Sequence, residues 1–277
     1  MPRSIMVGLD GSVFSKAAVE LGIQWAQRFD LMLVGLGIID EPTIVKPEPM
    51  PLGGAAFKKD LTETLLAEAR HRVDGLLEQF ALRCAEAQVS CKLLEDVGGP
   101  AEQIMLEAQR YDLIMLGRET YFHFETQHQA DDTLREVVKN SPRPVVAVPE
   151  AVRPGQATVI AYDGSLQAAR TLQAFCGTGL AELHPLHIIS VQPEHLAAAR
   201  QVDRAIDFLS FHQIRAEPHP IASSEEPAEI VMKQLDALDA GLLVMGAYGK
   251  RTLKEFLFGS MTRKILNEAS TPVFLYH

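Results

Sequence analysis

The chain has 277 residues, 47% of them hydrophobic and 22% charged, with a formal net charge of −10. That is ordinary globular composition, long enough for one large domain or two of medium size, each able to bury a core. The acidic balance argues against broad binding to nucleic acid or anionic membrane.

In chain order, Ser4–Leu9 reads as a short apolar strand, and "DGS" (10–12) as a turn leading to a helix cap. Ser15–Phe29 carries Ala18, Leu21, Gly22 and Trp25 at helical spacing. Leu31–Ile39 is the next strand. It is the longest apolar stretch, far short of the roughly 20 residues that a membrane helix needs. "DEPTIVKPEPMPLGGAAFKKD" (40–60) is rich in Pro and Gly and reads as a loop. Leu61–Gln88 reads as a long helix, Ser90–Leu94 as a strand and Pro100–Arg110 as a helix with Pro in its first turn. Leu113–Leu116, Asp132–Asn140 and Val145–Val148 follow as strand, helix and strand. Further strands are expected near 158–162, 186–191, 215–221, 242–245 and 273–276.

The two halves repeat each other. "IMVGLDGS" (5–12) matches "TVIAYDGS" (158–165), so Asp10 corresponds to Asp163. "GPAEQIMLEA" (99–108) matches "EPAEIVMKQL" (226–235), and "YDLIMLG" (111–117) matches "AGLLVMG" (240–246). The last strands correspond as well. Domains are therefore expected at 1–149 and 157–277, joined by the polar linker 150–156. Apolar strands alternating with helices mean a parallel sheet covered on both faces, here two tandem doubly wound α/β units of five strands each. The start "MPRSIMVGLDGS" has an apolar run too short for a signal peptide. Cys84, Cys91 and Cys176 lack CxxC spacing and read as buried thiols in a reduced, cytoplasmic compartment.

Ligands of such sheets bind beyond the carboxyl ends of the strands, at the switch in strand order. Asp163 and the stretch "MGAYGKRTLKEFLFGS" (245–260) fall there. Gly246 and Gly249 allow a sharp turn with exposed N–H groups. Gly259 and Ser260 open a helix whose free N–H groups and dipole favour an anion. Ser260 and Thr262 add hydroxyl donors, and Lys250, Arg251 and Lys254 add positive charge. The same residues also read as a plain glycine turn with a serine cap and solvated cations, and Asp163 as a turn residue. A carboxylate would repel phosphate, so an Asp163 contact with a nucleotide belongs at its sugar or base end. A Walker loop is absent, because Gly249-Lys250 runs into Arg251 with the wrong spacing. Gly35-Leu36-Gly37 lacks a third glycine, and there is no Gly-x-Ser-x-Gly elbow. "HFETQHQADD" (123–132) holds His123, His128, Asp131 and Asp132 without a frame to fix them, so no metal ligands are assigned.

On these residues the chain resembles the universal stress protein family in its tandem two-domain form. The resemblance covers nearly the whole chain and is strongest in "MGAYGKRTLKEFLFGSMTRKILNEASTPV", which carries the Gly-x2-Gly-x9-Gly-Ser/Thr signature of ATP-binding members. It implies a Rossmann-like fold of the adenine nucleotide alpha hydrolase type. It also implies a site for ATP, ADP or AMP, with or without magnesium, built from Asp163, Val191, Gly246, Gly249, Gly259, Ser260, Met261 and Thr262. Ala161 and Met245 would flank the base. It further implies that the halves pair through their last strands, Pro144–Val148 and Pro272–Tyr276, and it leaves a homodimer open.

The first half departs from this pattern. Gly117 is followed by Arg118-Glu119-Thr120 with no second glycine, and Asp131 and Asp132 stand where Gly259 and Ser260 should be. Two like charges about 4 Å apart cost roughly 4 kcal/mol near a surface, so only the second half is expected to hold nucleotide. If the first-half loop takes another path, the aspartates instead cap a helix. The leading functional expectation is a stress-response protein that acts by binding ATP. A slow ATPase or phosphotransferase, with Glu255 as the only nearby carboxylate, and a nucleotide-free scaffold are the alternatives.

Overall fold

The computed structural model describes residues 3–46, 55–123, 131–247 and 259–277, and of 55–57 the backbone only. They form two compact units, Arg3–Val137 and Val138–His277.

The first unit runs β1 (Ser4–Leu9), α1 (Val13–Phe29), β2 (Met32–Ile39), α2 (Glu41–Ile44), α3 (Ala55–Glu86), β3 (Cys91–Val97), α4 (Pro100–Glu107) and β4 (Leu113–Gly117), and α5 (Thr133–Asn140) begins in it. Its strands lie in the order β3-β2-β1-β4, all parallel, with Val7 beside Gly35 and Met6 beside Ile114. β1 and β4 are apolar nearly throughout because helices cover both faces of the sheet. Helix α1 starts where the Ser12 hydroxyl accepts from the Ser15 N–H at 3.0 Å, and it stops at Asp30 in a left-handed conformation. Ala18, Leu21, Gly22 and Trp25 are all on its buried face.

One stretch differs from the sequence reading. Residues 40–60 are not all loop. Asp40 caps α2 by accepting from the Thr43 N–H, with Pro42 in the first turn, and α3 begins at Ala55 rather than Leu61. Pro near a helix start is compatible with helix, since its missing N–H has no intrahelical partner there. Proline content alone therefore concealed α2. β3 also runs on to Val97, because it stays in register with β2 as far as Ile39.

The second unit holds the end of α5, then β5 (Val145–Val148), β6 (Ala157–Ala161), α6 (Leu166–Gly177), β7 (Leu186–Gln192), α7 (His195–Phe211), β8 (Ala216–Ala222), α8 (Pro227–Ala237), β9 (Ala240–Gly246), α9 (Ser260–Glu268) and β10 (Val273–Tyr276). Strand order is β5-β10-β9-β6-β7-β8. All neighbours are parallel except β5 and β10, which run antiparallel with Val146 beside Phe274. From β6 the chain first builds outward through β7 and β8, then returns to the other side with β9 and β10. The switch in strand order therefore lies between β6 and β9. Phe175 of α6 meets Phe274 of β10 edge to face at 5.5 Å in the core. Before β6, a Cβ on Gly155 would lie 2.2 Å from the Gly241 N, so only glycine lets the backbone pass so close to the start of β9. The neighbouring Gln156 N–H donates to the Asp239 carbonyl at 2.7 Å.

Candidate functional site

A cleft of about 510 Å3 opens at the carboxyl end of the second unit's sheet. It gathers Ala161 and Asp163 from the end of β6, Val191 from β7, and Met245 and Gly246 from β9. Gly259, Ser260, Met261 and Thr262 reach it from the start of α9. Gly249 lies outside the described residues, as do Lys250, Arg251, Lys254 and Glu255.

Each residue reaches the cleft for a local reason. Asp163 leads a tight turn, with Gly164 at φ 78° and the Asp163 Oδ1 accepting from the Ser165 N–H at 2.9 Å. The Ser165 hydroxyl then accepts from the Ala168 N–H at 3.1 Å and starts α6. The turn leaves Asp163 exposed at the rim. Gly246 ends β9 against that same helix start, where a Cβ would lie 2.8 Å from the Ala168 N. Packing against α6 is thus one demand on Gly246. At the start of α9, Gly259 occupies the cap position and offers no side chain to the first-turn N–H groups. These groups carry the positive end of the helix dipole at the cleft. Thr262 is only 2% exposed, whereas Ser260 is open to solvent. One wall is apolar, from Ala161 of β6, Ile189 and Val191 of β7, Val231 of α8 and Met245 of β9.

Sequence reasoning missed a second wall, made by Gln192 and Pro193 at the end of β7 and by Ser223, Ser224 and Glu225 after β8. Its signal was available, since both segments lie at the ends of strands on the same side of the switch point. Lys264 of α9 pairs with Glu226, at 3.0 Å, and with Glu229, which fastens α9 to α8 beside the cleft.

The equivalent place in the first unit is built differently. Asp10 is 5% exposed, its Oδ1 accepting from the Ser12 N–H and its Oδ2 from the Tyr121 N–H, both at 2.8 Å. Burial pushes the Asp10 carboxyl above its ordinary pKa, opposed by those hydrogen bonds to its charged form and reinforced by the nearby Asp131. Phe122 is fully buried, at the spot where a Cβ on Gly8 of β1 would meet its ring at 2.9 Å. Asp131 folds back, accepting from the Phe122 N–H and the Thr133 N–H at 2.8 Å each. Asp132 pairs with Arg135 at 3.2 Å. His123 Nδ1 lies 2.5 Å from Asp40 Oδ2, just past β2, and its Nε2 is 3.9 Å from Asp131. The segment after β4 thus covers the strand ends with its own side chains. Asp131 serves the turn and the first N–H of α5, while Asp132 pairs within that helix's first turn.

Both repeats match the model of the universal stress protein family, over residues 1–149 and 156–277. The chain is 25% identical to universal stress protein Slr1230 of Synechocystis, with 99% of each chain covered. A solved universal stress protein from Archaeoglobus fulgidus superposes with a TM-score of 0.72 at 18% identity, covering 99% of this chain and 97% of that one. A functionally unknown protein of Pseudomonas aeruginosa PAO1 superposes with a TM-score of 0.56 at 17% identity, covering 99% and 92%. These two likenesses concern the fold. Among the described residues, no helix is long and apolar enough to cross a membrane.

Proposed function

Because the chain belongs to the universal stress protein family, we propose that it binds an adenine nucleotide, ATP foremost, in the second unit's cleft and acts by that binding in a cytoplasmic stress response. One observation carries the reading. The cleft combines an apolar wall, suited to a base, with the N-terminus of α9, where the cap residue Gly259 makes no side-chain bond to the first-turn N–H groups, suited to phosphate. Its volume lies within the roughly 300–1,000 Å3 of small-molecule sites. In this reading Ala161, Val191 and Met245 flank the base, and Asp163 faces the sugar. Gly246 and Gly249 shape the loop, while Gly259, Ser260, Met261 and Thr262 receive the phosphates. Binding that stabilises one conformation or partner surface is enough for regulation.

The first unit holds no nucleotide in this reading, because Phe122 and the bonded Asp10 take up the corresponding space. The family domains are 1–149 and 157–277, joined by 150–156. The antiparallel β5–β10 pair supports an internal pseudo-dimer of the two repeats.

The test is the nucleotide stoichiometry of the full chain by calorimetry. One equivalent is expected, weakened at least tenfold by Gly259→Asp, since a misplaced carboxylate costs several times the roughly 1.4 kcal/mol per decade. Two equivalents would overturn the assignment to one unit, and none would leave the scaffold reading. Phosphate release in the presence of magnesium separates pure binding from slow hydrolysis.

A further inference from the structure

Away from the cleft, the outer strands of the second unit bring three ligand-type side chains together. Among the described residues, His187 of β7 and Glu217 and His219 of β8 place one donor atom each within 4.8 Å of one another. The strands run parallel with His187 beside Glu217 and Ile189 beside His219. The two histidines are therefore diagonal neighbours, and they lie on one face together with Glu217 because side chains alternate along a strand.

His187 Nδ1 is 2.9 Å from His219 Nε2, His187 Nδ1 is 3.6 Å from Glu217 Oε2, and His219 Nε2 is 3.9 Å from Glu217 Oε1. A tetrahedral zinc ion with bonds of about 2.0–2.2 Å holds its ligand atoms roughly 3.3–3.6 Å apart. The His–His separation is shorter than this, and the two carboxylate distances, which run to different oxygens of Glu217, lie at its upper end or just beyond, so an ion would spread the imidazoles slightly and draw one carboxylate oxygen inward. Three electron-pair donors converge here. One shared proton satisfies a single contact among them, whereas a cation satisfies all three. The imidazoles are largely sheltered and the carboxylate is two-thirds exposed, which leaves a path for entry and a fourth position for water.

We propose that His187, Glu217 and His219 form a binding site for a divalent transition ion of the zinc type. Two imidazoles with one carboxylate suit zinc, which prefers nitrogen and mixed nitrogen–oxygen ligand sets over the all-oxygen sets of magnesium and calcium. The site is distinct from the cleft. None of its three residues lines the cleft, whose nearest wall residue on β7, Ile189, lies two residues beyond His187, about 7 Å along the strand. The ion would clip the edge strand β8, whose Pro218 and Pro220 restrict it to an edge position, onto β7.

The full chain, freed of tag, metal and nucleotide, would be titrated with Zn2+ by calorimetry and with Co2+ by visible absorption. One ion per chain is expected, with the intense bands of tetrahedral cobalt. His187→Gln and His219→Gln should each weaken binding at least tenfold. Glu217→Gln, a change at an exposed side chain that leaves the fold intact, should weaken it less. His71→Gln, in the other unit, should change nothing. Zinc should raise the thermal midpoint of the native chain but not that of His219→Gln. Zinc uptake should also survive Gly259→Asp, so the proposal stands or falls separately from nucleotide binding. Absence of uptake, uptake unchanged in both His→Gln variants, or weak octahedral cobalt bands would overturn it.

Discussion

The backbone N–H of Tyr121 donates to Asp10 Oδ2 at 2.8 Å, and this bond separates the two halves of the repeat. Asp163 holds the corresponding position in the second unit but is exposed at the rim of a cleft. In the first unit the segment after β4 closes over the strand end and seats Phe122 beneath it.

Removing that aromatic plug should leave a cavity. Phe122→Ala is expected to destabilise the first unit by about 3–5 kcal/mol. Trp25, the only tryptophan, is buried in this unit, so its fluorescence during urea unfolding reports the loss. Nucleotide stoichiometry should remain at one, because Asp10 and Asp131 keep their backbone bonds. A gain to two equivalents would mean that the plug alone blocks a second site.

The raised pKa of Asp10 gives a signed pH dependence. An acid whose folded pKa exceeds its unfolded value binds its proton more tightly when folded, so the folded state gains from protonation. Relative to Asp10→Asn, the native first unit should therefore lose stability as pH rises from near 3.8 through the folded pKa, and level off above it. Trp25-monitored unfolding midpoints of the two proteins across that range check the sign. A difference that grows in the opposite direction would contradict the burial argument.

Gly155 passes so close to Gly241 that any side chain there collides with backbone. Gly155→Ala is expected to cost about 1–3 kcal/mol, the usual penalty for overpacking. The loss should appear in circular dichroism as an earlier transition of the second unit, while the Trp25 signal from the first unit is far less affected.

Val191 is half-buried on the apolar wall of the cleft. Val191→Trp should fill the space proposed for the base and lower nucleotide affinity at least tenfold with little change in thermal midpoint. Unchanged affinity would move the base elsewhere in the cleft.

Local pattern and repetition made much of this protein legible from its residues. Apolar strands at regular intervals meant a covered parallel sheet. The match of Asp10 to Asp163 and of Gly117 to Gly246 meant two copies of one unit. The departure of Arg118–Thr120 from the glycine pattern marked the first copy as different. These features depend on neighbours along the chain, so sequence alone determines them. The path of the chain after β4 was decided only in three dimensions. Like-charge repulsion from Asp131 and Asp132 was the cause expected for an altered site. The folded chain instead turns Asp131 back onto the backbone N–H groups of Phe122 and Thr133 and seats Phe122 against β1. The wall at the ends of β7 and β8, and the meeting of His187 with Glu217 and His219, were hidden for the same reason. Their members lie about 30 residues apart in the chain, and only strand register brings them together.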